Sequence, residues 1–223
     1  MKFDFTTLNT GGGVHPFVAE KGVKDPSIIS FSVAEMRLNL APAIAEGMHH
    51  CVDVGCFGYA PPEKERYDKA VAAWMARRHH WNVSMDTCTQ TTGVVTAMGI
   101  AIRALTEPGD GVIIQTPVYP PFAGSVRNNG RTLIENPLKC VDGVYTMDFE
   151  DLEEKAAHAK MLLLCSPHNP VGRVWTEEEL KKLGEICVKH SLFVLSDEIH
   201  FDLDYTGRHM VLTEACPELR NHA

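Results

Sequence analysis

Asp197 and Glu198 stand at the end of an apolar run, Leu192 to Leu195, within Ser196-Asp197-Glu198-Ile199-His200. An acid delivered to the mouth of a buried strand can hold a proton or pair with a cationic group of a ligand. A second apolar run, Met161 to Cys165, leads to Asn169-Pro170-Val171-Gly172. The proline biases Asn169 toward an extended backbone, which can aim its amide into a cleft. Thr116-Pro117-Val118-Tyr119-Pro120 follows a third run and sets an aromatic ring at a strand end. Thr91-Thr92-Gly93-Val94-Val95 directly precedes a helical pattern, whose first N–H groups and positive dipole end can hold a phosphate.

Each of these features has an ordinary structural explanation by itself. One glycine before a helix commonly makes only a turn, and a lone tyrosine commonly packs. An Asn-Pro pair commonly forms an Asx turn, and an acid at a strand end commonly caps the next element. Their joint order is more specific than any one of them: helix-start glycine, strand-end tyrosine, strand-end asparagine, strand-end aspartate.

Such residues need a scaffold that gathers strand ends, and the hydrophobic pattern supplies one. Helical spacing predicts Pro42 to Val54 and Glu63 to His80, the second with Tyr67, Val71, Trp74 and Met75 on one face. From Thr91 helices and short apolar strands alternate. The helices are Val94 to Leu105, Phe122 to Asn128, Asp148 to His158 and Glu177 to His190. The strands are Gly111 to Thr116, Arg131 to Asn136, Lys160 to Cys165 and Leu192 to Ser196. Continuous apolar strands between amphipathic helices predict an α/β fold, a three-layer α/β/α arrangement around a mostly parallel sheet. Thr176 with Glu179 is a capping-box signature that fixes the start of the last long helix. In such a sheet the ligand site lies outside the carboxyl ends of the strands.

Composition narrows the function classes. A net charge of −8 over 223 residues argues against nucleic acid or an anionic membrane as partner, since phosphate binding needs a clustered basic face. The seven cysteines contain no close Cys-x-x-Cys pair and their count is odd, which suits reduced thiols and a cytoplasmic location. Met1-Lys2-Phe3-Asp4-Phe5 carries an acid where a signal peptide needs an unbroken apolar stretch, and no apolar run approaches a span of about 18 residues. His49-His50 and His79-His80 are neighbours on helices, so they diverge around the axis and cannot share a metal.

The chain resembles the fold-type I pyridoxal-phosphate (PLP) enzymes of the aminotransferase class I/II superfamily, and within it the cystathionine β-lyase branch of MalY/PatB type. The resemblance runs from Phe3-Asp4-Phe5 through Val33-Ala34-Glu35-Met36 and Phe57-Gly58-Tyr59 to Ser196 through His200. It implies that the backbone at Gly93, Val94 and Val95 cups the PLP phosphate and that Tyr119 stacks on the pyridine ring. It implies that Asn169 bonds the ring hydroxyl, that Asp197 pairs with the pyridine nitrogen, and that Tyr59 reaches a phosphate across a homodimer interface. His200 joins this set; many aminotransferases have a tyrosine there, and Asp-Glu-Ile-His is closer to the lyases. Arg37 stands where the branch commonly carries an acid.

The same resemblance implies a lysine beyond Asp197 that forms the Schiff base with PLP. The last lysine here is Lys189, so the chain reads as the amino-terminal part of such an enzyme without its catalytic residue, inactive alone. Residues 1–55 are expected to form an arm and first helix, and 56–223 an incomplete PLP-binding large domain, with the small domain absent. The implied activity is α,β-elimination from cystathionine or a cysteine conjugate to pyruvate, ammonia and a thiol. An aminotransferase is the alternative within the fold, and a non-catalytic chain that binds PLP or a partner is the alternative outside it.

Overall fold

The structure, a computed structural model, describes residues 3–4, 6–7, 38–58, 63–207 and 209–221. The chain divides into two compact units, Met1–Pro62 and Glu63–Ala223. In the first, helix α1 (Pro42–Val54) begins with proline, whose missing N–H is no loss in a first turn. Gly55 ends it at a φ of 66°, a conformation glycine adopts without strain. Ile44, Met48 and Val52, spaced by one helical turn, are all exposed. Tyr59, Arg37 and the Val33 to Met36 segment lie outside the described residues.

The second unit contains α2 (Lys64–His79), α3 (Val94–Leu105), β1 (Gly111–Ile114), α4 (Pro121–Asn128), β2 (Thr132–Glu135), β3 (Lys139–Val141) and β4 (Val144–Thr146). It continues with α5 (Phe149–Ala156), β5 (Met161–Cys165), α6 (Glu177–Lys189), β6 (Phe193–Asp197) and α7 (Leu212–Ala215). Four strands form one parallel sheet in the order β2-β1-β5-β6. Parallel strands need crossovers, and the intervening helices provide them on both faces.

The side-chain alternation of the strands feeds two separate cores. Val112, Ile114, Met161 and Leu163 pack with Met98 and Ile102 of α3 and Phe122 and Val126 of α4. Ile113, Leu162, Leu164 and Val194 pack on the other face with Leu152 of α5 and Leu180 and Leu183 of α6. This is the three-layer arrangement that the pattern predicts. Every residue of β5 is buried, as a central strand covered on both faces requires. Each fully buried leucine contributes about 1.5–3 kcal/mol, so β5 is the strand the fold can least afford to disrupt. Gly111 opens β1 against the main chain at His158, where a Cβ would collide with the His158 carbonyl.

The capping box forms as the sequence predicts: Glu179 N–H donates to Thr176 Oγ1 at 3.2 Å, and Thr176 N–H donates to Glu179 Oε2 at 2.8 Å. Two features differ from the expectation. Nothing is predicted between Asn136 and Asp148, yet β3 and β4 pair antiparallel there. Asp142 and Gly143 both have positive φ, 51° and 78°, as a two-residue hairpin turn demands, and Asp-Gly is the signal that marks it. The apolar face of α2 is also less buried than its spacing implies, since Tyr67 and Trp74 are exposed. Trp74 instead lies beneath the guanidinium groups of Arg77 and Arg78 and donates its indole N–H to Asp202 at 3.0 Å.

Candidate functional site

The chain leaves each strand of the sheet at the same edge, and Tyr119, Asn169 and Asp197 sit at those exits, while Gly93 starts the helix that precedes β1. Gly93 precedes α3 with φ 132° and ψ 157°, a conformation that side chains disfavour. Among the described residues no side chain caps α3, so its first-turn N–H groups have no side-chain acceptor there. Val94 is half-buried and Val95 is exposed. Thr91 Oγ–H donates to Gly93 O at 3.2 Å and steadies the approach to the helix.

Asp197, the last residue of β6, is 8% exposed. Its Oδ1 accepts the Ile199 N–H at 3.2 Å, and no cationic side chain forms an ion pair with it among the described residues. Burial raises its pKa above the ordinary carboxyl value; the Ile199 N–H and nearby His200 pull the other way, and Glu198 adds to the rise. His200 is half-buried and stands before the 3-10 turn Phe201–Leu203. Thr91, Val94 and Asp197 line one cavity of about 600 Å³, whose other walls include Trp81, Met98 and Phe201. A carboxylate in an apolar cavity is stabilised by any N–H or cation that enters it, and the uncapped helix start favours an anionic group.

Tyr119 and Asn169 do not line this cavity; they lie on neighbouring strand exits. Tyr119 is 41% exposed, its ring presented at the rim. Asn169 is half-buried, and its N–H donates to Cys165 Sγ at 3.4 Å. The exits are tied together by main-chain and side-chain bonds. Ser166 N–H donates to Asp197 O at 3.0 Å, and His168 Nε2 lies 2.9 Å from Pro117 O.

Two residues outside the expected cofactor set shape the same edge. Glu198 also lines the cavity, but its carboxylate is engaged within the fold: its Oε1 accepts Ser196 Oγ–H at 2.7 Å and the Leu212 N–H at 3.2 Å, capping α7. Its Oε2 lies 3.2 Å from Nε2 of buried His209, an ion-pair distance without hydrogen-bond geometry. The adjacent acids thus have separate duties. His168, the second unassigned residue, carried only its place before Asn169 as a signal.

A parallel α/β sheet with a phosphate-competent helix start and an isolated carboxylate at its carboxyl edge defines a doubly covered ligand-binding α/β domain. The chain belongs to the family described as aminotransferase class I and II, whose profile matches residues 26–219. It is 49% identical over 177 residues to cystathionine beta-lyase PatB of Bacillus subtilis, covering 78% of this chain and 46% of that protein. Protein MalY of Escherichia coli is 34% identical over 191 residues, covering 84% and 48%. The crystal structure of cystalysin from Treponema denticola, which contains a pyridoxal 5'-phosphate cofactor, superposes with a TM-score of 0.87 at 40% identity, covering 100% of this chain and 58% of that one. The chain spans about half the length of the curated relatives it matches.

Proposed function

We propose that this chain is the cofactor-binding part of a PLP-dependent carbon–sulfur β-lyase acting on cystathionine or a related cysteine conjugate. The observation that carries the reading is Asp197, a desolvated carboxylate without an ion-pair partner that shares a cavity with the start of α3. That donor set fits PLP, which joins a phosphate to a pyridine nitrogen. Similarity to PatB and cystalysin supports the lyase branch.

In this reading the N–H groups at Gly93, Val94 and Val95 hold the phosphate and the Tyr119 ring stacks on the pyridine. The Asn169 amide bonds the ring hydroxyl. Asp197 keeps a proton on the pyridine nitrogen, because an opposite charge nearby favours the charged form. His200 lies beside that pair, and Tyr59 serves the phosphate of a second subunit in a homodimer. When bound, PLP supplies an electron-withdrawing ring that accepts the electrons released as the substrate α-proton leaves. Among the described residues no lysine lines the cavity. The lysine of the reaction therefore comes from elsewhere in the full-length protein, and residues 56–223 act as part of its large domain.

Among the described residues no helix is long and apolar enough to cross a membrane, and we place the protein in the cytoplasm. The family also contains aminotransferases, which return the proton to the cofactor instead of expelling a thiolate. The two are separated by supplying full-length protein and PLP with cystathionine, then with an amino acid and a keto acid. Release of pyruvate and a thiol in the first assay, without amino transfer in the second, supports the lyase; the converse result replaces it.

A further inference from the structure

His168 is 1% exposed, a costly place for an imidazole unless its nitrogens gain something there. Burial drives its pKa down, against the pull of the Pro117, Cys165 and Gln115 carbonyls, which favours the neutral ring. A carbonyl can only accept, and the 2.9 Å contact to Pro117 O therefore fixes the single proton on Nε2. Nδ1 is left as a buried lone pair with no hydrogen-bond partner among the described residues. An apolar ring of similar size would fill the space without that penalty, so what the imidazole adds is its N–H to Pro117.

The rest of the residue is fixed. His168 N–H donates to Arg173 O and Gly172 N–H donates to His168 O, each at 2.8 Å, which closes the turn carrying Asn169. The ring stands edge-on to Trp175 with centroids 5.4 Å apart, and the Trp175 indole N–H is itself held by Cys165 O at 2.9 Å. The imidazole cannot swing while its N–H reaches across to the segment that carries Tyr119.

We infer that His168 is a positioning residue: its Nε2–H locks the Tyr119 exit to the Asn169 exit, so that both groups meet the cofactor ring in one arrangement. This rests on the PLP reading above, and predicts that the lock exists with or without the cofactor.

The test uses full-length protein with His168→Phe, which keeps a ring and removes the donor, and His168→Gln, which keeps an N–H at similar reach. Amide hydrogen exchange on the cofactor-free protein reads the lock itself. Exchange should quicken at the Tyr119 and Phe122 N–H groups, which flank Pro120 and Pro121, in His168→Phe and return to wild type in His168→Gln. PLP titration followed by circular dichroism in the cofactor band reads the consequence. Affinity should fall about tenfold in His168→Phe, the scale of one well-placed hydrogen bond, with a weaker induced signal, and His168→Gln should restore both. Unchanged exchange and unchanged cofactor signal in His168→Phe overturn the inference, as does a loss that His168→Gln fails to repair. If His168→Phe does not fold, His168→Asn, whose amide is too short to reach Pro117, takes its place. Wild-type protein that binds no PLP defeats the cofactor reading and with it the positioning role, whereas the exchange result alone reports on the lock.

Discussion

Cys165 and Asp197 face each other across the last rung of the β5–β6 ladder. Burial pushes the Cys165 thiol up to about 11 and raises the Asp197 carboxyl as well, so this rung sits where charge is poorly solvated. The main chain there is fixed by Ser166 N–H on Asp197 O. Asp197 is thus rigid in its backbone and unsatisfied in its charge, the condition of a carboxylate shaped for a ligand rather than for the fold.

The first prediction follows from that imbalance. A folded-state pKa above the unfolded value means the fold binds the proton more tightly. The contribution is therefore full below the unfolded carboxyl pKa of about 3.9 and is lost as pH rises through the folded value. Asp197→Asn removes this liability. The cofactor-free protein carrying it should melt above wild type near neutral pH, and the gap should close in acid. With PLP present the same variant should lose most turnover and most of the stabilisation that PLP gives wild type. Thermal melts across pH, with and without PLP, check both halves; a variant that melts below wild type at neutral pH without PLP contradicts the assignment.

Glu198 should behave oppositely. Its carboxylate caps α7 and bonds Ser196, so Glu198→Ala should destabilise by about 1–2 kcal/mol, the scale of a lost cap. Glu198→Gln keeps an oxygen for both donors and should stay close to wild type in denaturant midpoint and cofactor affinity. Equal damage to PLP binding from Glu198→Gln and Asp197→Asn would mean that the two acids are not divided as the geometry divides them.

The sequence showed the sheet more fully than the site. Met161 to Cys165 is legible because a central parallel strand is apolar on both faces, and Thr176 with Glu179 because a capping box is local. The Asp142-Gly143 hairpin was legible in principle, since the turn chemistry lies in the two residues themselves. The role of His168 was not, and for Glu198 only a capping role and not its recipient was, because their partners, Pro117 and Leu212, are brought close only by the fold. The α2 face misled for a related reason: helical spacing says which residues share a side, and the cationic cover over Trp74 comes from side-chain reach.

Arg173 joins three elements and should be costly to replace. Its Nη2 contacts Glu179 Oε1 and Oε2 at 2.8 and 2.6 Å, its Nη1 donates to Tyr145 O on β4, and its guanidinium lies 4.8 Å from the Trp175 ring centroid. Arg173→Ala should destabilise by about 2–3 kcal/mol, since a partly buried ion pair is broken and the Glu179 charge is stranded. Arg173→Lys should recover little, because a single ammonium cannot replace the two guanidinium nitrogens that hold Glu179 and Tyr145 O separately. Urea unfolding measures this; a loss below about 0.5 kcal/mol would put the pair among ordinary surface bridges.

The last prediction concerns the 223-residue polypeptide made by itself. β6 is the final strand of the described sheet, and the cavity of about 600 Å³ beside it is walled largely by apolar side chains such as Met75, Leu105 and Leu195. In the first unit, α1 exposes Ile44, Met48 and Val52 along one stripe. Strand edges and contiguous apolar surface drive association in water. The polypeptide should therefore run as an oligomer or aggregate in size-exclusion chromatography with light scattering. It should also form no pyruvate from cystathionine when PLP is added, because no lysine among the described residues lines its cavity. A stable monomer with cooperative unfolding would contradict the first expectation. Pyruvate release at the rate of full-length homologues, from polypeptide of verified mass, would contradict the second and require a covalent partner for PLP among the residues of this chain.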